Sequence, residues 1–83
     1  MPCYFIDTDD GALALRDAKG RDYANVEAAR SVAQRALAEM VQGQKSRAKP
    51  YIFTAAIRDE NGAVLHVATL TLVGKWQASL PLG

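Results

Sequence analysis

Apolar and polar residues alternate in four stretches of this chain, which is the pattern of β-strands. Residues 3–6 form a short apolar run rich in strand formers, and residues 12–16 place leucines on one face and alanines on the other. Two longer β-rich runs occupy residues 51–58 and 64–73. The spacing predicts two strands near the N-terminus and two strands near the C-terminus.

Between these pairs of strands the apolar spacing changes to three and four residues, which predicts an amphipathic helix of about 17 residues. Its apolar positions are Val26, Ala29, Val32, Ala33, Ala36, Leu37 and Met40. Asn25 precedes the helix and can accept a free backbone N–H of the first turn, while Glu27 suits the positive end of the helix dipole. Gly43 is expected to end the helix in a left-handed conformation.

The order of elements predicts an α+β fold of ββαββ type, with a four-stranded, mostly antiparallel sheet and one helix packed on one face. A single domain is expected over residues 1–73, followed by a C-terminal tail over residues 74–83. The strand order is not given by the pattern, although a contact between the first strand and one of the last two is favoured.

Three turns share one design, with Thr or Asp in the first position and Gly in the fourth. They are Thr8-Asp9-Asp10-Gly11, Asp17-Ala18-Lys19-Gly20 and Asp59-Glu60-Asn61-Gly62. This is the preference of type I turns, and Asn-Gly is a strong hairpin signal. The acidic residues of the first turn do not fit the register of an EF-hand loop. A weak divalent-cation site at Asp7, Asp9 and Asp10 stays open as the alternative.

One helix can cover only one face of the sheet, and neither face of the last two strands is cleanly polar. The other face would leave Ile52, Leu65 and Val67, or their alternates, in water. An exposed apolar face of this kind usually marks an interface. We therefore expect a homodimer or a protein partner at this face, helped by Trp76, unless the tail folds back over it.

Composition agrees with a globular domain and argues against several classes of function. The chain has 83 residues, of which 49% are apolar and 23% charged, and its net charge of +1 is too small for a protein that mainly coats nucleic acid. Cys3 is the only cysteine, so no intrachain disulfide can form, which suits a reducing cytosol. No apolar run is long enough to cross a membrane, and the first residues lack the features of a signal peptide. A cytoplasmic location is expected.

Catalytic chemistry has little support in the sequence. Cys3 and His66 are the only thiol and imidazole, and a nucleophilic pair would need them within hydrogen-bond reach. Buried packing is the commoner role for such residues. One Cys and one His are too few for a structural zinc site. We expect no enzyme activity, no metal and no cofactor.

The only basic cluster is Lys45, Arg47 and Lys49, in the connection that follows the helix. Contact with a phosphate or with nucleic acid through this loop is the second functional hypothesis, and a solvated loop is the simpler interpretation. The leading hypothesis is a non-enzymatic binding or assembly module that acts through protein–protein contact.

Three segments together resemble a family of short uncharacterised proteobacterial proteins of the rhizobial type, catalogued as a domain of unknown function. They are MPCYFIDTDDG, RDAKGRDYANVEAARSVAQRAL and RDENGAVLHVATL. The resemblance spans roughly residues 1–70 and implies no activity or site residue. Asn25 stands where Asp is commoner, and His66 stands where an aliphatic residue is usual. Residues 4–40 also resemble, more faintly, the antitoxin half of bacterial HicAB toxin–antitoxin pairs, which supports the alternative of an antitoxin-like regulator.

Overall fold

The computed structural model describes residues 2–43 and 51–74 of the chain. One helix and five strands follow one another in these residues: β1 (Cys3–Asp9), β2 (Ala14–Leu15), β3 (Arg21–Asp22), α1 (Val26–Gln42), β4 (Tyr51–Arg58) and β5 (Val64–Leu72). The predicted α+β class is confirmed, and the order is consistent with ββαββ apart from the short additional strand β3.

The strands form one sheet in the order β2-β1-β4-β5, and β3 pairs with β1 as well. All of these pairs are antiparallel. The pairing of β1 with β4 confirms the predicted contact between the first strand and a strand that follows the helix. The four-strand count is corrected to five, because Arg21 and Asp22 pair with Tyr4 and Cys3.

The β4–β5 hairpin closes through the turn that its sequence predicts. The Gly62 N–H donates to the Asp59 carbonyl oxygen at 3.1 Å, and the Asp59 carboxylate accepts the N–H groups of Asn61 and Ala63 at 2.9 Å each. Gly62 has φ +86°, a left-handed conformation that glycine adopts at little cost. As predicted, Asp59 is the first residue of this turn and binds its backbone N–H groups, and Gly62 is the fourth.

The turn of the first hairpin begins two residues later than predicted, because β1 continues through Asp9. Thr8 pairs with Leu15 inside the hairpin, so it cannot be the first residue of the turn. Asp10 takes that role: its N–H donates to the Leu13 carbonyl oxygen at 3.2 Å. Its carboxylate accepts the N–H groups of Ala12 and Leu13 at 2.9 and 2.7 Å.

Helix α1 begins as predicted and ends differently. The Asn25 side chain accepts the Ala28 N–H at 2.9 Å, which confirms Asn25 as the N-cap. Gly43 has φ −82°, so the expected left-handed ending is wrong. Its N–H donates instead to the Met40 carbonyl oxygen at 3.3 Å, which tightens the last turn without a reversal of the backbone.

The core lies between α1 and one face of the sheet. Ala29, Ala33 and Leu37 of the helix are buried, as are Phe53, Ala55 and Ile57 of β4. The two alanines let the helix backbone lie close to the sheet, and the larger side chains fill the space at its sides. Because these residues supply all of the fully buried apolar side chains in the described part of the chain, the opposite sheet face is left outside the core.

Candidate functional site: the sheet face opposite the helix

The strand register defines which residues lie on the face of the sheet away from α1, here called the open face. Phe53, Ala55 and Ile57 face the helix, so the alternate residues of β4 point the other way. Antiparallel partners share a face. The open face therefore carries Phe5, Asp7 and Asp9 of β1, Ala14 of β2, Ile52, Thr54, Ala56 and Arg58 of β4, and Val67, Thr69 and Thr71 of β5.

The pairing of β5 with β4 is irregular at the start of β5. Ile57 pairs with His66 and Arg58 pairs with Val64, so Leu65 is one residue more than the register needs. Val64 and Leu65 both lie opposite Arg58 as a β-bulge, in which two residues of one strand oppose one residue of the other.

Four exposed aliphatic residues of the β4–β5 hairpin, here together called the apolar strip, are Ile52 at one end of the hairpin and Val64, Leu65 and Val67 towards the other end. Their exposed fractions are 53%, 58%, 47% and 54%. Three of them are the candidate interface residues: the register places Ile52 and Val67 on the open face, whereas Leu65 has no partner in the register and lines a recess that includes Val26 and Arg30 of α1. The fourth candidate, Trp76, lies outside the described residues, and an interface role for the strip stays a prediction.

The β1 part of the open face is polar, and an ion pair lies at its centre. Arg58 binds the Asp7 carboxylate with two hydrogen bonds, from Nε and from Nη2, the second at 3.0 Å. The Arg58 side chain is only 11% exposed, and its guanidinium carbon lies 4.9 Å from the centre of the Phe5 ring. The hydrogen bond from Arg58 lowers the pKa of Asp7 against the opposing effect of its partial burial, and the same bond raises the pKa of Arg58.

Asp17 ties the loop between β2 and β3 onto this ion pair. Its N–H donates to the Asp7 carboxylate at 2.9 Å, and its carbonyl oxygen accepts Arg58 Nη2 at 2.9 Å. Its carboxylate accepts the N–H groups of Gly20, Lys19 and Ile6 at 2.9, 3.1 and 3.2 Å. Partial burial by itself would raise the pKa of Asp17, but the three backbone donors outweigh it and the pKa is lowered.

Acid should destabilise the fold through these carboxylates. The pKa values of Asp7, Asp10 and Asp17 lie below the ordinary 3.8 in the folded chain, so the stability they contribute is present above that value. It is lost as the pH falls through the folded pKa values. We expect the free energy of unfolding, measured by urea titration, to fall as the pH is lowered from about 5 towards 2.

The variant Asp7→Asn tests the contribution of the ion pair to this pH dependence. It should be less stable than the wild type at pH 7, and its stability should depend less steeply on pH below 4. Asp9→Asn is the matched control, because it changes a neighbouring exposed carboxylate that accepts only the Gly11 N–H. Equal pH slopes in the wild type and in Asp7→Asn would contradict the assignment.

The three carboxylates of the suspected cation site have different partners. Asp7 binds Arg58, Asp9 accepts the Gly11 N–H at 2.7 Å, and Asp10 accepts the N–H groups of its own turn. Among residues 2–43 and 51–74, no group of three or more His, Cys, Asp or Glu side chains could hold a metal ion. In this cluster Asp7 thus forms an ion pair, and Asp9 and Asp10 stabilise the turn that follows β1.

A recess of about 290 Å³ lies beside the ion pair, at the β2 edge. Its walls are formed by Asp7, Thr8, Asp9, Ala14, Leu15, Arg16, Thr54 and Ala56. Two carboxylates and one guanidinium belong to it, so charges of both signs lie in the same small space.

The structure separates the candidate catalytic pair. Cys3 lies on β1 and His66 on β5, with β4 between the two strands. His66 pairs with Ile57 and so lies on the helix side of the sheet. Cys3 is two residues before Phe5 in β1 and so lies on the open face. The candidate phosphate-binding residues Lys45, Arg47 and Lys49 lie outside the described part of the chain.

The network of Asp7, Asp17 and Arg58 is absent from the sequence-based prediction. Asp17 was expected only as the first residue of a turn, and it fills that role for Lys19 and Gly20. Its second role depends on partners 11 and 41 residues away. A charged Arg at the end of an otherwise apolar strand was the available signal, because such a charge needs a partner when it is buried.

In residues 2–43 and 51–74 these features define a small α+β domain with one helix, one sheet face covered by it and one open face with a polar and an apolar part. The chain belongs to the family described as a domain of unknown function, DUF6894, whose model matches residues 3–71. This confirms the resemblance to a family of unknown function. No curated protein and no solved structure matches the chain. Within the described residues, no helix has the length and apolar character needed to cross a membrane.

Proposed function

We propose that this protein is a small non-enzymatic assembly module that forms a homodimer through its apolar strip. The carrying observation is that Val64, Leu65 and Val67 stay about half exposed near the start of β5, while Ile52 is equally exposed at the other end of the hairpin, opposite Thr71. Exposed aliphatic side chains grouped in this way favour burial against another protein surface. A chain of this size also has a small core, so a second copy adds stability that the monomer lacks.

The division of the open face supports the same proposal. On the β1 side the ionic groups bind one another and the loop that contains Asp17. On the β5 side the side chains are aliphatic or threonine, and the strip has no charged residue to keep it in water. The contact is therefore expected on the β5 side.

The proposal includes a bacterial source and a cytoplasmic location. The resemblance to short proteobacterial proteins supports the first. The single Cys3, which is half-buried and free, suits the second, because reducing conditions keep such a thiol unpaired.

Replacement of Val67 by Lys should weaken the dimer at least tenfold. The ammonium group would have to leave water at the centre of the contact, whereas in the monomer it stays solvated. Sedimentation velocity from 1 to 100 μM should show a concentration-dependent dimer for the wild type and a monomer for Val67→Lys.

Leu13→Lys is the matched control, since Leu13 is an equally exposed apolar residue in the β1–β2 turn, 57% exposed. It should dimerise like the wild type, and thermal melts should show that both variants fold. A wild type that stays monomeric at tens of micromolar would reject the proposal. Equal weakening by both substitutions would place the contact elsewhere.

A further inference from the structure

Strand β5 forms one edge of the sheet and, beyond the β-bulge at Val64 and Leu65, lacks the features that usually protect an edge. Among the residues that the structure describes, it pairs with β4 alone. Its nine residues, VLHVATLTL, contain no Lys, Arg, Asp, Glu or Pro. Monomeric proteins commonly place charges or prolines on such strands, because an unpaired row of N–H and C=O groups recruits other strands.

The opposite edge of the same sheet is well protected. β2 and β3 have two residues each and pair with opposite ends of β1. Between them the Ile6 N–H is bound by the Asp17 carboxylate at 3.2 Å. The fold thus closes one edge with short strands and a side chain, and leaves the other long and uncharged.

We propose that the β5 strands of two copies pair antiparallel across a two-fold axis and join both sheets into one. This inference rests on the proposed homodimer and places its contact at the β5 edge, so that Leu65 and Val67 meet the second copy while Ile52 stays in water. A two-fold axis makes the contact self-complementary, so each copy offers the same edge. Both helices then lie on one side of the joined sheet, and both open faces lie on the other.

Pairing centred on Ala68 uses residues 65–71 of each strand and leaves the bulged residue Val64 outside the ladder. It places Val67 opposite Thr69 and Leu65 opposite Thr71 of the second copy, so β-branched and aliphatic side chains meet across the axis. On the helix side, His66 lies opposite Leu70. No charged pair of equal sign meets in this register, because β5 has none of the four charged residue types.

Leu70 supports the edge pairing over a packing of two open faces. It pairs with Phe53 and therefore lies on the helix side, yet it is 39% exposed. A second β5 would cover it with the His66 side chain of the other copy. Packing of two open faces would leave Leu70 in water, whereas it would bury Ile52, which lies one strand inside the edge.

The matched pair Leu70→Glu and Ile52→Glu distinguishes the two arrangements. Both place a carboxylate at an exposed aliphatic position of the same sheet. With edge pairing, Leu70→Glu should weaken dimerisation at least tenfold by sedimentation velocity, and Ile52→Glu should change it less than threefold. Three results would overturn the edge geometry while leaving a dimer formed by other contacts. They are a larger loss of dimer affinity in Ile52→Glu than in Leu70→Glu, an equal loss in both variants, and no loss in either.

Hydrogen exchange on the full chain supplies an independent readout. In the wild-type dimer, successive β5 amides should all be protected, whereas in Leu70→Glu alternate amides should exchange at least tenfold faster. A monomeric wild type rejects the proposed function itself. In that case, uniform protection of the β5 amides would show that another part of the same chain occupies the edge, which also overturns the inference.

Discussion

Replacing Phe53 by alanine is expected to lower the free energy of unfolding by about 3–5 kcal/mol, the largest effect of any single truncation in the described core. Phe53 and Ile57 are the largest side chains that are fully buried, and Phe53 stacks against Tyr51 with ring centres 5.8 Å apart. Two of the three buried helix residues are Ala29 and Ala33, whose side chains are too short to fill the space left behind. The total free energy of unfolding of a domain of this size is roughly 4–12 kcal/mol.

Because Phe53→Ala is expected to leave little folded protein at equilibrium, Phe53→Leu is the graded test. It should cost about 1–2 kcal/mol, since it keeps most of the apolar volume. Ile52→Ala is the positional control: it is the neighbouring residue on the exposed face and should cost less than about 1 kcal/mol. Urea unfolding followed by circular dichroism measures all three. Similar losses for Phe53→Leu and Ile52→Ala would contradict the assignment of the core to the helix side.

Gly20→Ala is the second substitution with a large expected effect, a loss of about 2–4 kcal/mol in the free energy of unfolding. Gly20 has φ +71°, where an L side chain is strained. An added Cβ would also lie 2.8 Å from the Cys3 Sγ and 2.8 Å from the Phe5 ring. The methyl group would push the loop away from β1. This would weaken the hydrogen bonds of Asp17 with the Ile6 N–H of β1 and with Arg58 of β4.

Gly62→Ala separates the two causes of this loss. Gly62 has a similar φ of +86°, but an added Cβ there meets nothing within 4 Å. It should therefore lose only about 1 kcal/mol, the cost of the backbone conformation. The difference between the two alanine variants, measured by urea unfolding at pH 7, reports the close approach at Gly20. Equal losses would show that this close approach costs nothing.

The local features of the fold could be predicted from the sequence, since their causes lie within a few residues. Asn25 caps its helix, and Asp59 and Gly62 close their hairpin, because each acts on backbone groups two to four positions away. The alternation of residues in β4 likewise predicted that Ile52 and Phe53 lie on opposite faces of the sheet. The ends of these features were harder to predict: the first turn begins at Asp10, and Gly43 stays right-handed.

The contacts that shape the open face could not be predicted, because they join distant parts of the chain. Asp7 and Arg58 are 51 residues apart and meet only after β1 pairs with β4. Asp17 satisfies a local turn in any event, so nothing in its surroundings indicates that it also binds the Ile6 N–H. The sequence predicted an uncovered apolar face, but not that half of the face would be filled by an ion pair and a loop.

The unequal edges of the sheet also determine how far an assembly of this chain can grow. A β-sheet that could add strands at both edges would extend without limit and form fibres. Here the short strands β2 and β3 cover the two ends of β1 and the Asp17 carboxylate binds the Ile6 N–H between them. A copy joined through β5 would therefore offer no long second edge to a third, and such an assembly would be complete at two chains.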